Sequence, residues 1–135
     1  MFDVGSRAGG PPRALATGSS WLIGVGLSGA VPALSLGFLD LIQVPAGTRT
    51  MRLGLTHMAL NVTATTLYLG GFLLRRHRRP DRHGVPAGLI GLSGTAYGLL
   101  AVAGHLGGKL AYRYGVRVAD ESDQRDGYGA AGEAA

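Results

Sequence analysis

The stretch Gly104–Val118, GHLGGKLAYRYGVRV, closes a long apolar run and gathers varied polar side chains into the last turns before a polar tail. Upstream of it, charged residues are almost absent from three windows, Trp21–Leu41, Leu53–Leu74 and Val85–Gly104. Each window holds about 20 residues, which as an α-helix cover the roughly 30 Å hydrocarbon core of a bilayer. The pattern predicts that membrane-spanning helices lead to this stretch.

The distribution of apolar residues predicts the fold class, an all-α membrane protein with a three-span transmembrane helical bundle and disordered termini. The windows are apolar nearly all round, whereas a core helix of a soluble protein shows a polar face. Both ends of the chain are polar and rich in small residues, a composition that does not fold alone. The predicted domains are a disordered leader over 1–20, a membrane domain over 21–118 with spans at about 21–41, 53–74 and 85–112, and a disordered acidic tail over 119–135.

Composition excludes several classes of protein. The 24 glycines would oppose helices in water, where each costs about 1 kcal/mol relative to alanine, but in lipid they let helices pack closely. The net charge of +5 comes from basic residues that flank the apolar windows, as membrane topology selects, so we predict no nucleic-acid partner. The absence of cysteine excludes thiolate metal sites, disulfides and thiol catalysis.

The basic residues also predict an orientation, because arginine and lysine in short loops favour the cytoplasmic side. With three spans, the leader and the second connection share one side, and the first connection and the C-terminal exit share the other. The first side carries more of them, Arg7, Arg13, Arg75, Arg76, Arg78, Arg79 and Arg82, against Arg49, Arg52, Lys109, Arg113 and Arg117. We predict a multi-pass protein of the bacterial inner membrane, with its N-terminus cytoplasmic and its C-terminus outside.

A polar stripe runs along the second span. Its members are separated by four, four and three residues and share one helical face: His57, Asn61, Thr65 and Tyr68. Lipid offers polar side chains no partners, so this face should contact protein. Antiparallel spans bring further polar residues to the same side of the membrane. The predicted cluster consists of Asp40, His57, Asn61, His105, Lys109 and Tyr112.

Three interpretations of this cluster stay open. In the first, which we favour, it is a structural network in which Asp40 pairs with Lys109 or an arginine and His57 bonds Asn61. In the second, His57 and His105 are axial ligands of a b-type haem or part of a proton or quinone site. In the third, both histidines and Asp40 hold a divalent metal ion. Two lone histidines carry no spacing motif, so we assign no metal ligand and no catalytic residue.

The last turns of the chain's apolar part resemble those of small bacterial membrane proteins grouped as domain of unknown function 2231. In that family the last span ends with a Gly-Gly, a tyrosine and a Gly-Val pair, here Gly107, Gly108, Tyr112, Gly115 and Val116. Residues 37–61, GFLDLIQVPAGTRTMRLGLTHMALN, are similar to the family's middle connection and the His-x-x-x-Asn start of its next span. The resemblance covers about 21–118 and implies a helical membrane domain, in the family usually of four spans, with no established activity. The family's histidine-containing first span has no counterpart in the glycine- and proline-rich leader.

Together these observations predict an integral membrane protein that acts as a structural or accessory subunit and is not an enzyme on its own. Three helices with small-residue faces leave contact surface uncovered, so we expect a homo-oligomer or a membrane partner subunit besides the lipid bilayer. The alternative function is a haem- or quinone-associated redox subunit that uses His57 and His105.

Overall fold

The computed structural model describes residues 2–8, 12–77, 85–116, 120 and 127, and the regular elements among them are all helices. Helix α1 covers Phe2–Arg7, α2 covers Pro12–Leu41, α3 covers Arg49–His77 and α4 covers Ala87–Tyr112. The all-α fold class is therefore confirmed. The acidic tail predicted over 119–135 lies outside the described residues, apart from Asp120 and Gly127.

Helix α2 begins at Pro12, inside the segment expected to be a disordered leader. Proline suits the first position of a helix, because its fixed φ is helical and the N–H that it lacks would have no partner there. The next residues, ending in Ala16, are arginine, alanine and leucine, which all favour helix. These preferences outweigh the neighbouring glycines, and residues 2–7 and 12–20 of the predicted leader are helical.

Two of the three long helices have the length and apolar composition needed to cross a membrane, Arg13–Leu41 within α2 and Ala87–Tyr112. Helix α3 has 29 residues, but its threonines, His57 and Asn61 lower its hydropathy, and it is not one of the two. The described residues thus form a helical protein with two candidate spans, and the third predicted span is not confirmed by composition.

The connection between α2 and α3 is a tight turn with an N-cap. Gly47 has a φ of 77°, in the left-handed region that favours glycine. The next residue, Thr48, accepts a hydrogen bond from Met51 N–H at its Oγ1 (3.1 Å), and its hydroxyl donates to Pro45 O (2.8 Å). A threonine that binds the N–H three residues ahead is an N-cap, which fixes where α3 begins.

The chain forms two compact units, and each long helix contributes to both. The first unit contains residues 1–32 and 63–98, and the second contains residues 33–62 and 99–135. The most buried positions of the first unit are two alanines, Ala64 and Ala96, and those of the second unit are Thr50 and Ala103. In the first unit a Cβ at Gly24 would lie 3.4 Å from the Phe72 ring. Small residues at these positions let helix backbones approach closely, as in membrane proteins.

Candidate polar site on helix α3

The imidazole of His57 lies against the backbone of α4. Its Nδ1 is 2.8 Å from the carbonyl oxygen of Ala103, and that alanine is buried. One turn along α3, Asn61 Nδ2 donates to His57 O at 2.8 Å and lies 3.2 Å from His57 Nε2. The spacing of four residues in α3 thus brings both side chains to one place, where they face α4.

Gly107 makes room for this imidazole. A Cβ at residue 107 would lie 2.8 Å from His57 Cε1, closer than side chains approach one another. Gly107 is also one helical turn beyond Ala103, so its missing side chain leaves the Ala103 carbonyl open to a side-chain donor. The neighbouring Gly108 has nothing within 4 Å of an added Cβ. Only the first glycine of the Gly-Gly pair therefore shapes the site.

The hydrogen bonds determine the tautomer of His57. A carbonyl oxygen only accepts, so Nδ1 carries the proton and donates to Ala103 O. Nε2 then accepts from the Asn61 amide. Both ring nitrogens are bonded within the chain, so neither presents a lone pair to a metal ion or a haem iron. The first interpretation, a structural network, matches this geometry for His57 and Asn61.

Three other members of the predicted cluster, His105, Lys109 and Tyr112, are exposed. His105 is two residues from Ala103 and from Gly107, about 200° around α4, and its side chain is exposed on the far side of that helix. Lys109 is also exposed, Asp40 is half-buried, and Tyr112 is 87% exposed. The structure therefore brings His57 together with Asn61, but it does not pair His57 with His105.

The haem and metal interpretations both required two histidines aimed at one centre. Residues that are two apart on a helix point in nearly opposite directions, and the helix turns its 103 and 107 positions toward His57. No group of three or more His, Cys, Asp or Glu side chains placed to hold a metal ion occurs among the described residues. Within one chain, His57 therefore joins α3 to α4, and His105 points away from it.

A second polar group, which the sequence analysis missed, surrounds Arg75 near the end of α3. Its Nη2 donates to Asp3 Oδ2 of α1 at 2.6 Å, to Ser93 Oγ of α4 at 3.1 Å and to Leu89 O at 3.5 Å. The Arg75 and Asp3 side chains are only 6% and 10% exposed. One guanidinium nitrogen thus joins three helices of the first unit.

The other two guanidinium nitrogens, Nε and Nη1, are buried and have no hydrogen-bond partner among the described residues. A buried donor without an acceptor costs about 1–3 kcal/mol. On its own helix, Nη1 lies beside Gly71, where a Cβ would be 3.0 Å away. Two of its three nitrogens therefore donate no hydrogen bond to the part of the chain that the structure describes.

A sequence signal for Arg75 exists in the periodicity of α3. The predicted polar stripe ends at Tyr68, yet Arg75 follows seven residues later, about two helical turns along the same face. Tyr68 donates to Ser93 O at 3.4 Å, so Tyr68 and Arg75 contact the same residue of α4. Arg75 was assigned to the basic loop after α3, but by its spacing it belongs to the polar stripe. Its partner Asp3 has no such signal.

The end of α4 explains another part of the quoted motif. Gly115 has a φ of 54°, and Val116 N–H bonds Leu110 O at 3.1 Å across the turn. Tyr114 is 3% exposed, whereas Tyr112, the tyrosine named in the family pattern, faces outward. The glycine is needed for the left-handed turn, and the turn buries the tyrosine that precedes it.

Comparison with known protein families gives a match. No curated protein and no solved structure matches the chain significantly. A family model described as "Predicted membrane protein (DUF2231)" matches residues 1–120. The match includes the N-terminal segment that the resemblance left out, as well as His57, Gly107 and Gly115. The chain belongs to the DUF2231 family of predicted membrane proteins.

Proposed function

We propose that the protein is a three-span accessory subunit of the bacterial inner membrane that works by assembly with a second copy or a partner subunit. The observation that carries this proposal is the closed hydrogen bonding of His57, because both ring nitrogens bind groups of the chain itself. A polar group used in this way stabilises helix contacts and leaves no reactive atom for a substrate. Family membership supports the membrane location.

The third span is proposed for α3. Its 29 residues are long enough to cross a bilayer, and its polar stripe finds partners on α4 in both units. Polar residues within spans face other helices for this reason. With three spans the N-terminus is cytoplasmic and the C-terminus outside, as the arginine distribution favours.

Exposed faces of α2 and α4 support assembly. Trp21 is 72% exposed and Tyr97 is 70% exposed, and the apolar window of α2 has no buried residue. On α4, Gly94 and Gly98 are exposed, four residues apart, with nothing within 4 Å of an added Cβ. Such small-residue pairs allow a neighbouring helix to approach closely in lipid.

Disulfide crosslinking in native membranes tests the assembly. The chain has no cysteine, so a Gly98→Cys variant reports only on that position. We expect Gly98→Cys to form a disulfide-linked dimer. If the neighbour is a different subunit, Gly98→Cys should crosslink to single-cysteine variants of that subunit. Ala96→Cys is the matched control, since Ala96 is fully buried against its own chain. The proposal would be contradicted if single-cysteine variants at every exposed position of α2 and α4 gave only monomer and no crosslinked product.

The absorption spectrum and metal content of the purified protein test the accessory role. We expect a colourless protein whose His57→Ala variant loses stability while His105→Ala does not, because His57 bonds the backbone of α4 whereas the His105 side chain is exposed. A reduced-minus-oxidised haem spectrum that either substitution abolishes would show a redox subunit instead, with haem bound between copies of the chain.

A further inference from the structure

We propose that Arg75 and Ser93 form a binding site for the phosphoryl group of an anionic membrane lipid, and that the Asp3 carboxylate of α1 occupies part of this site. The inference rests on the proposed membrane-spanning role of α3, because the site must lie at headgroup depth. It assigns a ligand class to Arg75, a strongly buried charge that the accessory role does not explain.

The first observation is the unused donor capacity of Arg75. Among the described residues, all of its hydrogen bonds are made by Nη2, while Nε and Nη1 are buried without a hydrogen-bond partner. A guanidinium carries five N–H donors in a planar fork. The Asp3 carboxylate reaches this fork at one nitrogen only, at 2.6 Å. A ligand with several acceptor oxygens would satisfy the remaining donors.

The second observation is the hydroxyl of Ser93. Its oxygen accepts from Arg75 Nη2 at 3.1 Å, which leaves its own hydrogen to donate. A guanidinium beside a hydroxyl donor is a pair suited to phosphoryl oxygens, which only accept. The acceptor directions of a carboxylate lie in one plane, whereas the two non-bridging oxygens of a lipid phosphodiester sit on a tetrahedral centre and accept from donors outside one plane. A phosphodiester can therefore accept from the Ser93 hydroxyl as well as from the Arg75 guanidinium.

The place of the site in α3 favours a lipid over a free anion. Helix α3 ends two residues later, at His77, and its last turn is basic. Leu92 borders the site, since a Cβ at Gly71 would lie 3.4 Å from Leu92 and 3.0 Å from Arg75 Nη1. A basic group at a helix end with apolar neighbours matches a lipid, which brings its phosphate and its acyl chains together.

Substitutions at two neighbouring arginines distinguish specific lipid binding at Arg75 from non-specific attraction of anionic lipids to the basic helix end. The purified full-length protein is placed in phosphatidylcholine nanodiscs doped with phosphatidylglycerol, and the retained phosphatidylglycerol is counted by native mass spectrometry. We expect one retained molecule per chain, and an affinity at least about tenfold lower in Arg75→Lys, which keeps the charge but loses the fork.

Arg76→Gln is the matched control. Arg76 is exposed, lies 5.8 Å from the centre of the Phe72 ring and sits at nearly the same depth. Its loss should lower the affinity by no more than about fivefold, the contribution of one basic residue near a charged surface. Equal losses in Arg75→Lys and Arg76→Gln, or no loss in Arg75→Lys, would overturn the proposal.

Two further variants keep the test decisive if the Arg75 variants fail to fold. Ser93→Ala removes one donor and should weaken retention, while Asp3→Asn removes the competing charge and should strengthen it. The opposite pair of results would overturn the site. Displacement of phosphatidylglycerol by an equal concentration of inorganic phosphate would identify a free-anion site and overturn the lipid assignment. A chain that crosslinks as proposed but retains no phosphatidylglycerol contradicts this inference alone.

Discussion

At the scale of single residues, the contact between His57 and Gly107 gives a sharp prediction. In Gly107→Ala the new methyl group would lie 2.8 Å from His57 Cε1, so the ring must turn and lose its bond to Ala103 O. We expect the free energy of unfolding in detergent to fall by about 1–3 kcal/mol, through the lost hydrogen bond and the crowding.

The adjacent glycine supplies the control for this prediction. Gly108→Ala meets no atom within 4 Å and gains helix propensity, so its unfolding free energy should stay equal or rise by up to about 1 kcal/mol. Combining Gly107→Ala with His57→Ala should cost less than the sum of the two, because the clash disappears with the ring. If Gly107→Ala and Gly108→Ala behave alike, the close approach does not exist in the folded protein.

Residue spacing predicted part of the His57 site and missed the rest for a physical reason. The interval of four residues placed Asn61 beside His57, because residues at that interval are neighbours on a helix. The acceptor on α4 is a backbone carbonyl, which every residue carries, so no residue type marks Ala103. His105 was predicted to join the site because imidazole can bind metals and protons. The rotation of α4 that points it away from His57 depends on tertiary packing, which the spacing of residues does not reveal.

At the scale of elements, the start of α3 depends on its cap. Thr48→Ala removes the acceptor of the Met51 N–H, and we expect the unfolding free energy to fall by about 0.5–2 kcal/mol. Hydrogen exchange should accelerate at the first amides of α3, because the first turn loses its cap. Thr48→Ser keeps the oxygen and should behave like the natural protein.

A second threonine of α3 serves as the control for the cap. Thr56 is exposed and donates to Arg52 O within its own helix, so Thr56→Ala should leave exchange at the first turn unchanged. Acceleration of the same size in both variants would show that the capping bond is not what holds the first turn.

Hydropathy predicts where the long helices lie but not the residues at which they begin. The windows beginning at Trp21 and Leu53 located α2 and α3 but began nine and four residues after Pro12 and Arg49, the first residues of these helices. Hydropathy finds the residues suited to lipid, whereas proline position and capping decide where the backbone becomes helical. The fold class was therefore predictable, but the helical leader was not.

At the scale of the whole molecule, the number of spans depends on α3. Among the helices that the structure describes, only α2 and α4 have the composition of a span, while α3 carries the polar stripe that contacts α4 in each unit. Hydropathy scores residues as if each faced lipid, so a helix with one polar, protein-facing side is underestimated. The ion pair between Asp3 and Arg75 was also not predicted, because 72 positions separate its partners and local sequence patterns do not link them.

The most direct measurement is labelling of single cysteines with a membrane-impermeant maleimide in intact spheroplasts and after lysis. The cysteine-free chain allows Ala46→Cys between α2 and α3, His83→Cys between α3 and α4, and Asp120→Cys beyond α4. Three spans predict that Ala46→Cys and Asp120→Cys label in intact spheroplasts and that His83→Cys labels only after lysis. Labelling of Ala46→Cys and His83→Cys from the same side would show that α3 does not cross the membrane.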